Sequence, residues 1–233
     1  MNLYKELGFD SDLDTWELMK EMAKDKAKEQ ENIVKKEKRI LDGYKNDIKD
    51  FNRMIREEKA KRRRLKMCSY SKGKKETVDW IRNNVAVGSE CLDVGACDGI
   101  WEDMIGDYLK MDAVEAFEPN IVNHRLRDRY RMVYLCDVKN FEYEHYDLVI
   151  FGDVIEHMTV EDASKVLAYA ESHADVVVVA VPFRFKQGEI YGNPYERHIQ
   201  DDLTDSIFKE RYKGFEPLFI YTDYGYYFKK TKS

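Results

Sequence analysis

Apolar residues in the first third of the chain recur every seven positions. The series is Val34, Leu41, Ile48 and Ile55, with Tyr44 and Phe51 three residues after two of its members, and we call these six residues the heptad seam. This is the a/d spacing of a coiled coil, interrupted at the d positions by Glu37 and Glu58. Residues 11–67 contain no proline and one glycine, Gly43. They predict one long helix, or a helical hairpin with Gly43 at or near its bend.

A helix as highly charged as this one needs a partner to be stable. One interpretation is self-association through the heptad seam, which would make the chain a homo-oligomer. A solvated helix that lies against the rest of the chain is the alternative.

From about residue 76 the pattern changes to alternating helices and strands, which predicts a doubly wound α/β fold. Strand Asp175 to Val181 is almost entirely valine, as expected for a strand of a parallel sheet that is buried on both faces. We therefore predict a mostly parallel, seven-stranded sheet with an antiparallel C-terminal hairpin, preceded by the long charged helix. The predicted elements are helix 76–84, strand 90–94, helix 102–109, strand 113–117, helix 121–130, strand 132–136, strand 146–151, helix 160–173, strand 175–181, helix 203–211, and a hairpin of 215–221 and 226–229 around Asp223-Tyr224-Gly225.

Charge divides the chain at the same place. Residues 1–75 hold 22 lysines and arginines against 15 acids, and residues 76–233 hold 17 against 30. The prediction is a charged helical segment over 1–75 and one domain over 76–233. The four cysteines have neither zinc-site nor disulfide spacing, which favours a reducing cytoplasm. An acidic start argues against a signal peptide, and no apolar run is long enough to span a bilayer.

A dense basic stretch covers residues 59–75, where it could contact nucleic-acid phosphates. Aromatic residues are sparse there, so a solvated helix end is the favoured interpretation. Its members are Lys59, Lys61, Arg62, Arg63, Arg64, Lys66, Lys72, Lys74 and Lys75.

The segment Cys91-Leu92-Asp93-Val94-Gly95-Ala96-Cys97-Asp98-Gly99 follows the first predicted strand of the domain. Ligands of parallel α/β sheets bind beyond the carboxyl ends of such strands. Gly95 and Gly99 permit a tight turn and a close backbone approach. Because Asp93 would repel a pyrophosphate, a cationic ligand fits the loop better.

This segment resembles the first motif of class I S-adenosylmethionine (SAM)-dependent methyltransferases, acid-x-Gly-x-Gly-x-Gly, with Cys97 in place of the middle glycine. The resemblance spans roughly Lys75 to Lys229 and implies SAM as cofactor and S-adenosylhomocysteine (SAH) as product. It also implies that the loop binds the cofactor through Asp93, Gly95, Ala96, Cys97 and Gly99.

Two further acids resemble nucleoside-binding positions of that family. Glu118, in Val114-Glu115-Ala116-Phe117-Glu118-Pro119-Asn120, is similar to the acid that holds both ribose hydroxyls, about 20 residues past the loop. Asp137 is similar to the acid that contacts adenine, although aspartate also caps helices.

Residues 146–158, which contain Gly152-Asp153-Val154-Ile155-Glu156-His157-Met158, resemble the fourth motif of the small-molecule and glycan branch. The resemblance implies that Gly152 and Asp153 face the methionine part of SAM, with His157 near the methyl donor. Residues 191–198 resemble a loop that covers the acceptor in that branch. There His198 is the first candidate base and His157 the second, and Tyr195 and Glu196 position the acceptor.

The predicted function is O-methylation of a small molecule, sugar or glycan by in-line methyl transfer. No catechol-type Asp-Asn set follows the fifth strand, so no metal is predicted. Two alternatives stay open: a nucleic-acid methyltransferase docked through the basic stretch, and a SAM-binding scaffold without turnover.

Overall fold

The computed structural model describes residues 12–65, 72–190 and 192–231. The chain divides near residue 64 into two compact units. Within the described part of the first unit there is one helix, α1, Asp12–Leu65, of 54 residues. It runs through Gly43 without interruption, so the prediction of a single long helix is confirmed and the hairpin is not found.

Side chains of the heptad seam that the structure describes are Val34, Leu41 and Tyr44, and each is more than half exposed, at 54%, 53% and 61%. Those of Ile48, Phe51 and Ile55 lie outside the described residues. Self-association through this seam therefore stays a prediction. Over the described ranges, no helix combines the length and the apolar character that crossing a bilayer requires.

The second unit alternates strands and helices and ends in a hairpin, as predicted. Its helices are α2 Lys74–Asn84, α3 Ile100–Ile105, α4 Glu118–Asn123, α5 Val160–His173 and α6 Asp205–Arg211. Its strands are β1 Glu90–Val94, β2 Lys110–Glu115, β3 Met132–Leu135, β4 Tyr146–Gly152, β5 Ala174–Pro182, β6 Glu216–Ile220 and β7 Tyr224–Lys230.

The strands form one seven-stranded sheet in the order β3-β2-β1-β4-β5-β7-β6. Strands β1 to β5 pair in parallel, whereas β7 is antiparallel to both β5 and β6. This confirms the predicted fold class. The chain order reverses between β1 and β4, and their carboxyl ends lie side by side at that point.

Successive residues of the central strands enter two separate hydrophobic cores, one on each face of the sheet. On β5, Val177 and Val179 pack with α5 and α6 on one face. Val176 and Val178 pack with α2 and α3 on the other face. The valine-rich strand is therefore buried on both faces, as its sequence predicts.

Strand β2 begins and ends earlier than the sequence predicts, because it spans Lys110–Glu115 rather than residues 113–117. The reason is Asp112, a buried acid whose carboxylate accepts hydrogen bonds of 2.9 and 2.8 Å from the Arg131 guanidinium. Because a strand is predicted from its apolar positions, a charged residue near its start makes the strand seem to begin later than it does. The shift moves the carboxyl end of β2 from Phe117 to Glu115.

The predicted helix over residues 121–130 is also different. Helix α4 ends at Asn123, and a short 3₁₀ turn, Leu126–Asp128, follows it. Arg125 between them has a left-handed backbone, with φ of 52°, which a continuous helix does not allow.

Candidate active site

An open cavity lies where the carboxyl ends of β1 and β4 meet. This is the switch point of the sheet, the usual ligand position in doubly wound folds. Its wall is formed by Val94, Gly95, Ala96, Cys97, Asp98, Ile100, Trp101, Val114, Glu115, Ala116, Asn120, Cys136, Asp137, Val138, Lys139, Gly152, Asp153, Val154, His157, Met158, Asn193, Tyr195 and Glu196.

The loop after β1 turns through three left-handed residues, Gly95 (φ 69°), Cys97 (φ 44°) and Gly99 (φ 71°). The backbone N–H of Gly95 donates to the carbonyl of Val114 at 2.8 Å, which ties the loop to β2. Cys97, which replaces the middle glycine of the motif, takes the backbone conformation that favours glycine. Gly95 and Cys97 both line the cavity, as predicted.

The acid at the end of β2 that lines the cavity is Glu115. Its carboxylate accepts hydrogen bonds from the backbone N–H groups of Cys97, at 2.8 Å, and Phe117, at 2.9 Å. Burial raises the pKa of Glu115, and these two N–H groups oppose that shift. Glu118, the residue predicted for this position, is the first residue of α4 and is not part of the wall.

Asp93, which is within β1, and Gly99, the last of the three left-handed residues of the loop, are not part of the cavity wall. Asp93 is buried and accepts a hydrogen bond of 2.5 Å from the hydroxyl of Tyr130. Burial raises its pKa to about 7, against the Tyr130 hydrogen bond. A Cβ on Gly99 would lie 2.5 Å from Nη1 of Arg129, so a side chain there would displace the guanidinium and would also be strained by the left-handed backbone.

At the end of β4, Asp153 has a left-handed backbone with φ of 59° and lines the cavity. Its carboxylate accepts a hydrogen bond from the hydroxyl of Tyr224 and lies 3.5 Å from the ammonium group of Lys74. Lys74 is only 1% exposed, so it is a buried partner of Asp153 and not part of a solvated basic surface. That corrects the interpretation of the basic stretch at this residue.

Trp101 forms part of the wall between these two strand ends. Its indole is buried, and over the described ranges no group accepts a hydrogen bond from Nε1. The Lys74 ammonium lies 4.9 Å from the ring centroid. A Cβ on Gly152 would overlap Nε1, so the absence of a side chain there leaves room for the indole. A buried N–H without an acceptor is a position where a ligand oxygen would be stabilised.

Glu156, His157 and His198 lie together beside the cavity, and one possible ligand atom of each is within 4.8 Å of the others. The imidazole rings of His157 and His198 are edge to face with centroids 4.7 Å apart. Burial lowers the pKa of His157 to about 4, with a smaller effect from His198. Burial also raises the pKa of Glu156 well above its ordinary value. Of the three, only His157 lines the cavity.

The connection from β5 to α6 carries Tyr195, Glu196 and His198. Gln187, near its start, forms hydrogen bonds to residues near its end. The side-chain amide of Gln187 donates to the backbone carbonyl of Glu196 at 2.8 Å. The backbone carbonyl of Gln187 accepts from the backbone N–H of His198 at 3.0 Å. Tyr195 and Glu196 both line the cavity, and their role in positioning an acceptor stays a prediction. Burial raises the pKa of Glu196. Tyr191, the first residue of the predicted loop motif, lies outside the described residues.

The charge of the cavity wall is strongly negative. It contains one ammonium group, that of Lys139, which lies 3.4 Å from the carboxylate of Asp137. Its carboxylates are those of Asp98, Glu115, Asp137, Asp153 and Glu196. Such a wall attracts a cationic ligand and repels a pyrophosphate.

The structure brings most of the predicted site residues to one cavity. Those in the wall are Gly95, Ala96, Cys97, Asp137, Gly152, Asp153, His157, Tyr195 and Glu196, and those outside it are Asp93, Gly99, Glu118 and His198. The sequence does not predict three residues that lie in the cavity wall or next to it. Glu115 and Trp101 line the wall, and Lys74 contacts the wall residues Asp153 and Trp101. Glu115 stands within the second motif, but the sequence pattern predicts that β2 ends two residues later, at Phe117. For Trp101 and Lys74 the sequence carries no signal besides their closeness to the loop and the basic stretch.

Comparison with family models gives no match, and comparison with curated proteins gives none either. Solved structures do match. A SAM-dependent methyltransferase from Clostridium acetobutylicum superimposes with a TM-score of 0.54 and 13% identity, over 69% of this chain and 92% of that one. The N-terminal domain of EvdMO1, in the presence of SAH and D-fucose, matches with a TM-score of 0.54 and 11% identity over 70% of this chain and 85% of that one.

A third match is the 1,6-didemethyltoxoflavin-N1-methyltransferase of Burkholderia thailandensis, with a TM-score of 0.50 and 15% identity over 67% of this chain and 76% of that one. At these identities the likeness concerns the fold. The chain has the fold of the class I SAM-dependent methyltransferases, which confirms at the level of the fold the resemblance drawn from its motifs.

Proposed function

We propose that this chain is a SAM-dependent methyltransferase that methylates a hydroxyl group of a small molecule, sugar or glycan. The observation that carries the proposal is the acid-lined cavity at the switch point of the sheet. Its five carboxylates fit a ligand that combines a sulfonium cation with ribose hydroxyls. When bound, SAM supplies an electrophilic methyl group and leaves as neutral SAH.

Glu115 would bind the ribose. The backbone N–H groups of Cys97 and Phe117 donate to its two carboxylate oxygens, and the Asn120 side chain and the Ala116 N–H also stabilise the charged form. A carboxylate has about four lone-pair sites, so ribose hydroxyls would bind by replacing the Asn120 and Ala116 contacts. Glu118, which the sequence favours for this role, begins a helix outside the wall.

Asp137 would border the adenine. Its side chain accepts a hydrogen bond of 3.0 Å from the backbone N–H of Lys139, so it caps the short turn that follows β3. Cys136 and Val138 on either side of it also belong to the wall. The cap fixes the direction of this turn, and the two less polar neighbours offer a surface for a flat base.

Trp101 and Lys74 would bind the methionine carboxylate. The indole N–H has no acceptor in the protein, and the buried Lys74 ammonium lies beside the same ring. Together they supply a donor and a positive charge at one end of an otherwise acidic cavity. Asp153 is placed for the methionine ammonium group, opposite the same lysine.

The acceptor would enter beside His157, Tyr195 and Glu196. A hydroxyl acceptor must place a lone pair in line with the bond that breaks, and it must lose its proton. Of the two predicted bases only His157 belongs to the wall. The presence of both SAH and a sugar, D-fucose, with the EvdMO1 domain supports a sugar as one acceptor class to test.

Binding and turnover test the proposal. Calorimetric titration of the full chain with SAM and with SAH should give one site per chain. A panel of sugars, glycans and phenols, scored by release of SAH, should then identify an acceptor. Absence of SAM binding would contradict the proposal, and binding without turnover on any acceptor would favour the scaffold.

Nucleic-acid methylation is the second enzymatic candidate. The structure removes Lys74 from the basic stretch by burying it, and Lys72 lies 3.8 Å from the carboxylate of Asp223. An RNA or DNA substrate would have to bind with an affinity that falls steeply with salt. Salt-insensitive turnover on a sugar would exclude this candidate.

A further inference from the structure

The cluster formed by Glu156, His157 and His198 combines three electron-pair donors. Oε1 of Glu156 lies 4.0 Å from Nε2 of His157, and the ligand atoms of all three residues lie within 4.8 Å of one another. His157 and His198 are 41 positions apart in the sequence, so the fold rather than a local motif brings them together. Donors at these separations surround a space in which one ion could contact all three.

Each histidine is oriented by a backbone carbonyl. Nδ1 of His157 lies 3.2 Å from the carbonyl of Arg197, and Nδ1 of His198 lies 2.8 Å from the carbonyl of Phe185. Because a carbonyl can only accept, Nδ1 of each ring carries the hydrogen. In a neutral imidazole the lone pair is then on Nε2. This is the arrangement by which proteins orient histidines that bind a metal.

Glu156 supplies a second, independent observation. Its side chain is 0% exposed, and among the described residues neither carboxylate oxygen has a hydrogen-bond partner. An ionised carboxylate that is buried without a partner is strongly unfavourable, so such a group keeps its proton unless a bound cation compensates its charge. The Glu156 backbone carbonyl meanwhile accepts from the N–H groups of Ile199 and Gln200, at 2.8 and 3.0 Å. These bonds hold the segment that carries His198 against the carboxylate.

We propose that Glu156, His157 and His198 bind one divalent transition-metal ion, of the Zn²⁺ or Mn²⁺ class. Two imidazoles and one carboxylate form a ligand set that suits such ions and leaves coordination positions open. The proposal departs from the sequence prediction that no metal is bound. It also gives the two candidate bases a different role, that of ligands.

The place of the cluster suggests what the ion does, and this part rests on the proposed function. His157 belongs to the cavity wall near Tyr195 and Glu196, so an open position of the ion would face the acceptor. A coordinated hydroxyl is more acidic. Its O–H bond breaks with the proton going to water, its oxygen bonds the methyl carbon, and the electrons of the S–C bond stay on sulfur.

Metal binding is tested with the full chain, treated with EDTA and dialysed, in the absence of SAM and acceptor. Titration with MnCl2, followed by electron paramagnetic resonance, and with ZnCl2, followed by calorimetry, should show one ion per chain. Glu156→Gln and His198→Ala should each weaken binding at least about 10-fold, as loss of a ligand requires. Circular dichroism checks that each variant is folded. His198 lies on a partly exposed connection, so His198→Ala decides the result if Glu156→Gln does not fold.

A matched control comes from the second group of donors in the described chain, His145, Asp147 and Asp175. There Nε2 of His145 lies 3.1 Å from Oδ1 of Asp175, and His145 is 43% exposed. His145→Ala should leave metal binding at Glu156, His157 and His198 unchanged. No saturable binding, or binding that survives both Glu156→Gln and His198→Ala, would overturn the proposal, as would binding abolished by His145→Ala alone.

The two proposals fail in different ways. Stoichiometric metal binding without any methyl transfer would contradict the proposed function and leave the metal site standing. SAM binding and full turnover in EDTA, with no ion bound, would overturn the metal site alone. If both hold, EDTA should lower kcat and added Mn²⁺ should restore it.

Discussion

The carboxylate of Glu115 accepts a hydrogen bond from the backbone N–H of Cys97, 2.8 Å away. The acid at the end of β2 therefore holds the loop that follows β1, and both line the same cavity. A single side chain at the end of one strand thus fixes the shape of the loop that follows the neighbouring strand.

Glu115→Gln should weaken SAM and SAH binding alike, by about 10- to 100-fold, since hydrogen bonds to a charged group contribute about 1.5–3 kcal/mol. The amide can still accept from one backbone N–H, so the fold should persist. Glu118→Gln is the matched control and should change the affinity less than about 2-fold, because its carboxylate is outside the wall. Calorimetry with both ligands measures this. The opposite ranking would restore Glu118 as the ribose ligand.

Trp101→Phe should weaken SAM binding by about 10-fold or more, because the proposed hydrogen bond to the methionine carboxylate is lost. The unliganded variant should lose stability only through the cavity that the smaller ring leaves in the core, where Trp101 is 2% exposed. The deleted N–H should add nothing to that loss, because it has no acceptor among the described residues. Trp80→Phe is the control, since Trp80 packs on Phe228 away from the cavity. Unchanged affinity together with a lower Tm would mean that Trp101 only fills space.

Asp93 should make the chain less stable as the pH rises from about 4 to 7. Folded Asp93 keeps its proton up to about pH 7, whereas the unfolded chain releases it near 3.8. Between these values the folded state holds more protons, so the free energy of unfolding falls, by up to about 1.4 kcal/mol per pH unit, and levels off above pH 7.

Asp93→Asn should remove that part of the slope, because asparagine can still accept the Tyr130 hydrogen bond and has no charge to desolvate. Urea denaturation from pH 4.5 to 8 measures the difference from the natural chain. Other buried acids, among them Asp98 and Glu115, keep their own contributions in both proteins. Asp79→Asn, on an exposed face of α2, should leave the slope unchanged. An equal slope in the natural chain and Asp93→Asn would refute the assignment.

Leu41→Glu should lower the mass of the native particle in light scattering, if α1 pairs through the heptad seam as its sequence predicts. The side chain of Leu41 is 53% exposed in the single chain, and a charge there would oppose a buried seam. Arg39→Glu, two positions away and off the seam, serves as the control. A natural chain that is already monomeric would show the prediction to be wrong.

Elements with strong local signals were predicted to the residue. The bounds of β1 and α5 agree with the sequence, and α5 begins after Thr159, whose hydroxyl accepts from the Asp162 N–H at 3.1 Å. A cap residue and an apolar run need no knowledge of the rest of the chain. The start of β2 depends instead on the pairing of Asp112 with Arg131, which directly precedes β3 and is distant in sequence.

For the candidate site, as for the fold, the parts with local sequence signals could be predicted and the contacts between distant residues could not. Motifs located the loop after β1 and the turn after β4, because their glycines and acids are consecutive in sequence. Lys74 and Trp101 meet Asp153 and Gly152 only after the sheet has assembled. Glu156 and His198 likewise approach through the Ile199 and Gln200 amides. Such contacts leave no trace in the spacing of residues.

Gln187 joins the two ends of the connection between β5 and α6, because it forms hydrogen bonds to the Glu196 carbonyl and the His198 N–H. Two residues after His198, the side-chain amide of Gln200 donates to the backbone carbonyls of Ile155 and Met158. The two ends of the stretch between Gln187 and Glu196 are thus tied to each other, and the residues that follow it are tied to the turn after β4. Substitutions between these two ends should therefore leave the position of His198 unchanged.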